Sequence, residues 1–173
     1  TATTEIYTLS LHDALPIFTP VSGNGYGPDA GRHRDGGAEP GSAPARARWE
    51  VPADSGELAT LRREIGRYLA ECGVDPATIK DVQLAVTETV ANAVVHAYVG
   101  IEPGAVVVSA VCAGDRVWVE VADEGIGIAP RHDSPGLGMG LPIISRLADR
   151  LDIGPGPNGR GTAVRMSFAR ASD

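Results

Sequence analysis

One long segment with helical periodicity, followed by two segments with strand periodicity, limits most strongly what this chain can fold into. Asp75-Pro76 indicates where the helix starts, because an acidic cap followed by proline in the first turn is typical of helix N-termini. The apolar residues that continue it at helical spacing are Ile79, Val82, Val86, Val90, Ala93, Val94 and Ala97. This buried stripe predicts the longest helix of the fold.

Two apolar segments that alternate with other residues come next along the chain. They are joined around Gly114-Asp115 and consist of Val106, Val108 and Ala110, and of Val117, Val119 and Val121. Period-two alternation on both sides of a glycine turn predicts a β-hairpin. A long helix beside antiparallel strands predicts an α+β fold.

Weaker patterns predict the remaining elements. A strand is expected over residues 46–51, followed by a helix that Ser55 caps and whose apolar face continues to Cys72 before Gly73 ends it. That strand is expected at a sheet edge, which offers a surface for a homodimer. The other predicted elements are a glycine-rich loop over 125–140, a short helix through Ile144, Leu147 and Ala148, and strands near 151–153 and 163–168.

Composition divides the chain into three parts. Residues 1–17 resemble, letter for letter, one reading frame of a common sequencing adapter, so they are expected to be an assembly artefact outside the fold. Residues 18–44 are rich in glycine, proline and alanine without a period, which predicts a disordered tail. The folded domain is expected over residues 45–170.

Charge and lysine content exclude several classes of function. The formal charge is −7, from 15 Lys and Arg against 22 Asp and Glu, so binding to nucleic acid through net charge is not expected. Lys80 is the only lysine and lies outside any glycine-rich phosphate motif, which excludes Walker-type ATPases and eukaryotic-type protein kinases. The 22 glycines and 13 prolines exclude a helical bundle.

The apolar runs and the cysteines predict a cytoplasmic protein. The longest apolar run, over residues 105–113, is too short for a membrane-spanning helix, so no membrane partner is expected. Cys72 and Cys112 are far apart in the chain and form no C-x-x-C motif, which argues against a zinc module or a disulfide framework. This cysteine usage fits a reducing compartment.

Two polar residues of the long helix are the first candidates for chemistry. Glu88 and Asn92 are four residues apart and therefore share one face of the helix. A carboxylate in such a place can act as a general base, and an amide oxygen can ligate Mg²⁺. Taken alone, such a pair is also common on solvent-facing helix surfaces.

A second cluster combines a carboxylate with glycines at the ends of strands. Asp123 ends a predicted strand and is followed by Gly125 and Gly127, which let the backbone approach a flat ligand closely. Gly161-Thr162 opens the last strand, and its hydroxyl can share a water or a hydrogen bond with the ligand of Asp123.

A third cluster consists of Gly136, Gly138 and Gly140 before a helix. Backbone N–H groups of a glycine-rich segment and a helix N-terminus together favour an anion such as a triphosphate. Each glycine cluster alone is equally compatible with a turn or a helix cap.

Taken together and in this order, the clusters resemble the N box and the three G boxes of the GHKL ATP-binding superfamily, which includes gyrase, Hsp90, MutL and histidine kinases. The resemblance covers residues 46–169. Within the superfamily, the segment TETVANAVVHAY over residues 87–98 is similar to that of the anti-sigma-factor serine kinases. The resemblance implies a Bergerat-type two-layer α/β sandwich, with a mixed, mostly antiparallel sheet and three main helices on one face.

The resemblance also implies ATP and Mg²⁺ as cofactors. Glu88 would be the catalytic base that accepts the proton of a serine on a partner protein, and Asn92 would hold Mg²⁺ against the phosphates. Asp123 would bind the adenine amino group, with Thr162 supporting it through water. The glycines implied in binding are Gly125 and Gly127 at the adenine and Gly136, Gly138 and Gly140 at the phosphates.

The lid between the second and third boxes departs from the family pattern, because residues 128–135 make it short. Arg131 is its only cation and is the candidate for neutralising the γ-phosphate, with a solvated loop arginine as the alternative. His132 and Asp133 are expected to be exposed loop residues rather than metal ligands. His96 stays open between a supporting role near the nucleotide and a packed helix histidine.

The function that the resemblance implies is a cytoplasmic serine protein kinase that acts as an anti-sigma factor. Its expected partners are a sigma factor and an anti-sigma-factor antagonist that carries the acceptor serine. One alternative is a binding module that uses nucleotide without turnover, which the short lid favours. The other is the catalytic fragment of a sensor histidine kinase, although residues 18–45 lack heptads and Glu88 is not the usual choice there.

Overall fold

The computed structural model describes residues 3–8, 45–53, 55–127 and 140–170. Its helices are α1 (Leu58–Glu71), α2 (Pro76–His96) and α3 (Gly140–Leu147), with short 3-10 turns at Ser55–Glu57 and Pro157–Gly159. Its strands are β1 (Thr3–Thr8), β2 (Ala45–Pro52), β3 (Ala105–Ala113), β4 (Arg116–Asp123), β5 (Arg150–Pro155) and β6 (Thr162–Ala169). The predicted α+β class is confirmed.

The strands form one six-stranded sheet in the order β1-β2-β3-β4-β6-β5. Every pairing among the described strands is antiparallel, which corrects the expectation of a mixed sheet. The connections explain this arrangement. Between β2 and β3 the chain runs out along α1 and back along α2, and it therefore enters β3 at the end where β2 stopped.

The hydrophobic core lies between the three helices and one face of the sheet, as the predicted two-layer sandwich requires. The sheet contributes fully buried side chains from four strands, among them Trp49, Val108, Val119 and Met166. The helices contribute Leu61, Ile65, Val86, Val90 and Ile144. Each side chain of this size contributes about 1.5–3 kcal/mol when it is fully buried, so this layer holds α2 firmly on the sheet.

The start of α1 differs from its prediction. Ser55 does not cap the helix; it begins a 3-10 turn, and Glu57 stands at the N-cap without a side-chain hydrogen bond. The apolar face of α1 instead fixes the helix, because Leu61, Ile65 and Leu69 are buried in the core. The predicted end is confirmed, since Gly73 has a φ of +73°, a backbone conformation that glycine adopts without strain.

The start of α2 follows its prediction closely. The side chain of Asp75 accepts hydrogen bonds from the backbone N–H groups of Ala77 (2.8 Å) and Thr78 (3.2 Å), and Pro76 occupies the first helical position. These bonds satisfy donors that the helix itself leaves unpaired. Across the described residues, α2 included, no helix has both the length and the hydropathy that spanning a membrane demands.

The N-terminal strand β1 differs from the expectation that residues 1–17 stay outside the fold. Residues 3–8 pair antiparallel with residues 45–50 of β2, so β2 is not an edge of the described sheet. The reason is physical: a bare edge presents unpaired N–H and C=O groups, and a segment such as TTEIYT has the β propensity to pair with them. The adapter origin of residues 1–17 stays a prediction, and the predicted tail lies outside the described residues.

Candidate functional site

The long helix α2 presents Glu88 and Asn92 beside its buried face. Thr89 and Val90 are buried against the core, whereas Glu88 and Asn92 are half-buried. Four residues along an α-helix correspond to a rise of about 6 Å and a rotation of about 40°, so the two side chains leave the helix in similar directions. The predicted shared face is therefore present, with one carboxylate and one amide available on it.

The last residue of β4, Asp123, holds a buried carboxylate in a fixed orientation. The residue is 5% exposed. Its Oδ1 atom accepts hydrogen bonds from the backbone N–H groups of Gly125 (2.9 Å) and Thr162 (3.2 Å). Burial raises the pKa of Asp123 above its ordinary value, and the two hydrogen bonds oppose that shift without cancelling it.

The loop after β4 is attached to the end of α2 by a close backbone contact. The N–H group of Ile126 donates a hydrogen bond of 2.8 Å to the carbonyl oxygen of Ala97. A Cβ atom on Gly125 would lie only 2.0 Å from that same oxygen, so position 125 has no room for any side chain. Because Ala97 follows Asn92 by little more than one turn, this contact holds the Asp123 loop beside the helix that carries Glu88.

Glycines also form the wall where β6 begins. Gly127 and Gly161 have φ values of +75° and +65°, conformations that residues with side chains rarely adopt. A Cβ atom on Gly161 would lie 1.9 Å from the carbonyl oxygen of Asp123. The backbones of the two loops can therefore approach each other and Asp123 directly.

An open cleft of about 680 Å³ lies against these glycine loops. It is lined by Gly125, Ile126, Gly127, Ile153, Arg160 and Gly161, among others. Backbone forms much of its wall, and the exposed guanidinium of Arg160 contributes a positive charge at its rim. The cleft can therefore accept a flat or anionic molecule.

Tyr98 lines a cavity together with Asp123 and Glu124, and the sequence predicts no role for it. Its hydroxyl donates a hydrogen bond of 2.8 Å to the carbonyl oxygen of Ala105, at the start of β3. A Cβ atom on Gly104 would lie 2.8 Å from the Tyr98 ring, so the ring fills the space that this glycine leaves. In the sequence, Tyr98 is marked only by its position directly after the helical pattern. That position does not predict a hydrogen bond to the first residue of β3.

The structure brings some predicted site residues together, and others lie outside the described residues. Asp123, Gly125, Gly127 and Thr162 form one contiguous cluster. Glu88 and Asn92 lie on the helix that the Ala97 contact attaches to that cluster. Gly140 is the first residue of α3. The predictions for Arg131, Gly136 and Gly138 lie outside the described residues, as do those for His132 and Asp133.

Metal ligands are sparse in the described part of the site. In residues 45–53, 55–127 and 140–170, no group of three or more His, Cys, Asp or Glu side chains could hold a metal ion. A Mg²⁺ ion bound with a nucleotide needs few protein ligands, because phosphate oxygens and waters complete its octahedral shell. The amide of Asn92 is compatible with such a site.

Comparison with known proteins defines the class to which this fold and site belong. The family described as "Histidine kinase-like ATPase domain" matches residues 51–168. This match runs through the described elements of the site, from α2 to residue 168 of β6. The chain therefore belongs to the histidine kinase-like ATPase family, which confirms the predicted GHKL resemblance and fold.

Within this class, the chain is similar to anti-sigma F factors. Those of Thermoanaerobacter sp. (strain X514) and Clostridium acetobutylicum are 29% and 30% identical to it over 123 and 134 residues. These alignments cover 65% and 70% of this chain, and 85% and 92% of the relatives. The similarities support an anti-sigma-factor kinase-like function at the level of the family.

The chain is also similar to a solved structure that contains an RsbW domain. The RsbU and RsbW domains of a Mycobacterium tuberculosis protein match with a TM-score of 0.54 at 27% identity. The match covers 70% of this chain and 32% of that longer chain.

Proposed function

We propose that this chain is a serine protein kinase dependent on ATP and Mg²⁺ that acts as an anti-sigma factor, phosphorylating a serine of an antagonist protein and sequestering a sigma factor. The anti-sigma F factors among its relatives support this choice of partners. The observation that carries the proposal is the buried, oriented carboxylate of Asp123 at the glycine-lined end of β4.

The surroundings of Asp123 fit a planar ring that carries an amino group. The N–H groups of Gly125 and Thr162 both bind Oδ1, so the carboxylate keeps acceptor capacity for a donor on a ligand. Gly125 and Gly161 leave no room for side chains, and bare backbone can pack closely on a flat ring. In this proposal Asp123 accepts a hydrogen bond from the adenine amino group, and Thr162 supports it.

Glu88 is the proposed general base. It is half-buried on α2, so a hydroxyl group of a partner protein can reach its carboxylate. A carboxylate oxygen of Glu88 would take the proton of the serine hydroxyl as the serine oxygen bonds to the γ-phosphorus of ATP, while the bond from that phosphorus to ADP breaks and ADP leaves. Phosphoryl transfer depends mostly on positioning and charge neutralisation, so no nucleophile on this chain is required.

The phosphate end of the site is proposed around Asn92. When bound, ATP with Mg²⁺ supplies the γ-phosphoryl group and the positive charge that neutralises it. The side-chain oxygen of Asn92 is the proposed protein ligand of Mg²⁺, a cation that prefers oxygen ligands. Gly136, Gly138 and Gly140 would donate backbone N–H groups to the phosphates, and Arg131 would add a cation; these four roles are supported by the family resemblance.

The experiment that tests the proposal is a transfer assay with the full chain. We would incubate it with radiolabelled ATP, Mg²⁺ and the antagonist of the Clostridium acetobutylicum anti-sigma F factor, with and without its acceptor serine. Wild-type protein should label only the antagonist that has the serine. Glu88→Gln should still bind ATP but lose at least about 100-fold in the transfer rate, because a general base typically contributes 10²–10⁴-fold.

A matched variant separates the role of Glu88 from a general effect of lost charge. Glu71→Gln removes a carboxylate from the exposed end of α1 and should transfer at the wild-type rate. Transfer at the wild-type rate by Glu88→Gln would remove the assigned base. Transfer to the antagonist without its serine would remove the assigned acceptor.

A second candidate function is a binding module without turnover. The sequence gives only residues 128–135 to the lid segment, and so short a segment favours a binding module because it weakens the case for efficient phosphoryl transfer. In that case the wild-type protein would bind ATP and capture a sigma factor in a nucleotide-dependent way, and it would transfer no label to any antagonist.

A further inference from the structure

The two cysteines of the chain lie at the same core cluster although 39 residues separate them in the sequence. Cys72 caps the C-terminus of α1 and is half-buried, whereas Cys112 is buried on β3 and faces the helices. Cys72 packs against the same buried cluster to which Cys112 belongs. Both are free cysteines in this structure.

Several contacts hold the end of α1 over β3 and so keep the thiols together. Tyr68, one turn before Cys72, donates a hydrogen bond of 3.3 Å to the carbonyl oxygen of Ala110, and its ring packs edge to face on Trp49. Arg170, just after β6, donates hydrogen bonds to the carbonyl oxygen of Cys72 and to that of Gly114. The pair therefore occupies a defined place where α1, β3 and the end of β6 meet.

The two thiols differ in a way that suits sequential chemistry. The hydrogen bond from Cys112, assisted by Tyr68 and the positive charge of Arg170, lowers the pKa of Cys72 to about 7. The same hydrogen bond, together with burial, raises the pKa of Cys112. Near neutral pH, the half-buried Cys72 thus has a larger thiolate fraction than an ordinary cysteine, and Cys112 stays a protonated thiol.

We propose that Cys72 and Cys112 are a peroxide-reactive pair that closes a reversible disulfide between α1 and β3. In the first step the Cys72 thiolate attacks one oxygen of a hydroperoxide, the O–O bond breaks, and the leaving oxygen takes a proton to give water or an alcohol. Cys72 is oxidised by two electrons to a sulfenic acid, and the peroxide is reduced.

In the second step the sulfur of Cys112 attacks the sulfur of Cys72 and forms the S–S bond. The hydroxyl group of the sulfenic acid leaves with the proton of the Cys112 thiol as water. Overall, two thiols and one hydroperoxide give one disulfide, one alcohol or water, and one further water. Thiol reductants reverse the product, as expected for a regulatory disulfide in a reducing compartment.

The disulfide would close a loop that contains the whole of α2, and with it Glu88 and Asn92. Closing this loop restricts the unfolded chain and stabilises the folded one. The bond would not touch the nucleotide site, because Cys112 pairs with Val117 near the start of β4 whereas Asp123 ends that strand, about 20 Å away along it. This inference therefore stands apart from the proposed kinase activity.

The test treats the full reduced chain with hydrogen peroxide and follows its intact mass. The wild-type protein should lose two hydrogen atoms, remain monomeric on a non-reducing gel and regain its mass with dithiothreitol. Cys112→Ser should gain one oxygen atom that dimedone traps as a sulfenic acid at position 72. Cys72→Ser should stay unmodified under the same conditions, because its remaining thiol is buried and protonated.

Peptide mapping of the oxidised wild-type protein keeps the test independent of how the variants fold. Because the chain has two cysteines, the proposal requires a linked pair of peptides that contain Cys72 and Cys112. The oxidised protein should also unfold at a higher temperature than the reduced one. Disulfide-linked dimers as the main product, sulfinic acid in the wild-type protein, or two unreacted thiols would each overturn the proposal.

Discussion

At the scale of single residues, Asp123 combines a cost in stability with a proposed role in binding. Burial raises its pKa, so between its ordinary pKa and the raised value the folded protein holds more protons than the unfolded protein. The free energy of unfolding therefore falls as pH rises through this interval, and the cost is fully present above it. Residues that bind ligands often carry such a cost.

Asp123→Asn separates these two effects. The Asn oxygen can still accept from Gly125 and Thr162, while the buried charge disappears, so the melting temperature at pH 7 should equal or exceed that of the wild type. ATP affinity should fall about 10–100-fold, because the new amide presents a donor to the adenine amino group where an acceptor is needed. Thermal unfolding and calorimetric titration measure the two results. A less stable variant with unchanged ATP affinity would refute the assignment.

The tight contact at Gly125 gives a second prediction at this scale. Gly125→Ala forces a Cβ atom against the carbonyl oxygen of Ala97. It should therefore lower the free energy of unfolding by at least about 2 kcal/mol and also weaken ATP binding. Gly159→Ala is the matched control: its φ is +74°, but nothing lies within 4 Å of the added atom. Gly159→Ala should lower the free energy of unfolding by about 1 kcal/mol, from backbone strain alone. Equal denaturation midpoints for the two variants would contradict the close approach.

At the scale of elements, α2 is the part of the fold on which the site most depends. It carries Glu88 and Asn92, its buried face packs on the sheet, and its end holds the Asp123 loop. Its N-terminus is stabilised by Asp75. The cap therefore contributes indirectly to the geometry of the site.

Asp75→Ala should lower the free energy of unfolding by about 1 kcal/mol, because the N–H groups of Ala77 and Thr78 lose their acceptor. Lys80→Ala is the control on the same helix, where the exposed side chain should change stability by less than about 0.5 kcal/mol. Urea denaturation measures both. Indistinguishable stabilities for the two variants would show that the cap contributes nothing to α2.

Elements defined by local patterns could be predicted well from the sequence. The Asp75-Pro76 start, the apolar stripe of α2 and the hairpin around Gly114 depend on neighbouring residues, and the structure contains all three. The prediction that Ser55 caps α1 was wrong, because the burial of Leu61 and its neighbours decides where α1 begins. A local sequence pattern does not contain that information.

At the scale of the whole molecule, contacts between distant residues mark what the sequence could not reveal. The placement of Cys72 and Cys112 at one core cluster requires α1 to lie over β3, and the bond from Tyr98 to Ala105 requires a turn whose geometry no motif encodes. The cluster around Asp123 was predictable because the order of the glycine boxes resembles a known family. The pairing of β1 with β2 was not predictable, because the resemblance of residues 1–17 to a sequencing adapter places them outside the expected fold.

Removing residues 1–44 tests how much β1 contributes to the fold. The core of the described chain lies within residues 47–168, so the shortened protein should keep its secondary structure and its ATP affinity. Its melting temperature should fall by a few degrees, because β2 loses the backbone pairing of β1 and becomes an edge. Circular dichroism and thermal unfolding measure these changes. A shortened chain without cooperative unfolding would contradict the predicted domain boundary.

The central claim is that this molecule contains a nucleotide site between α2 and the Asp123 loop. The most direct test of this claim is calorimetric titration of ATP into the full chain, with and without Mg²⁺. The Asn92→Ala variant is titrated in the same way for comparison. We predict micromolar, Mg²⁺-dependent binding by the wild-type protein and loss of the Mg²⁺ dependence in the variant. A folded wild-type protein that binds no ATP, or an Asn92→Ala variant that binds Mg²⁺ and ATP as the wild type does, would contradict the account.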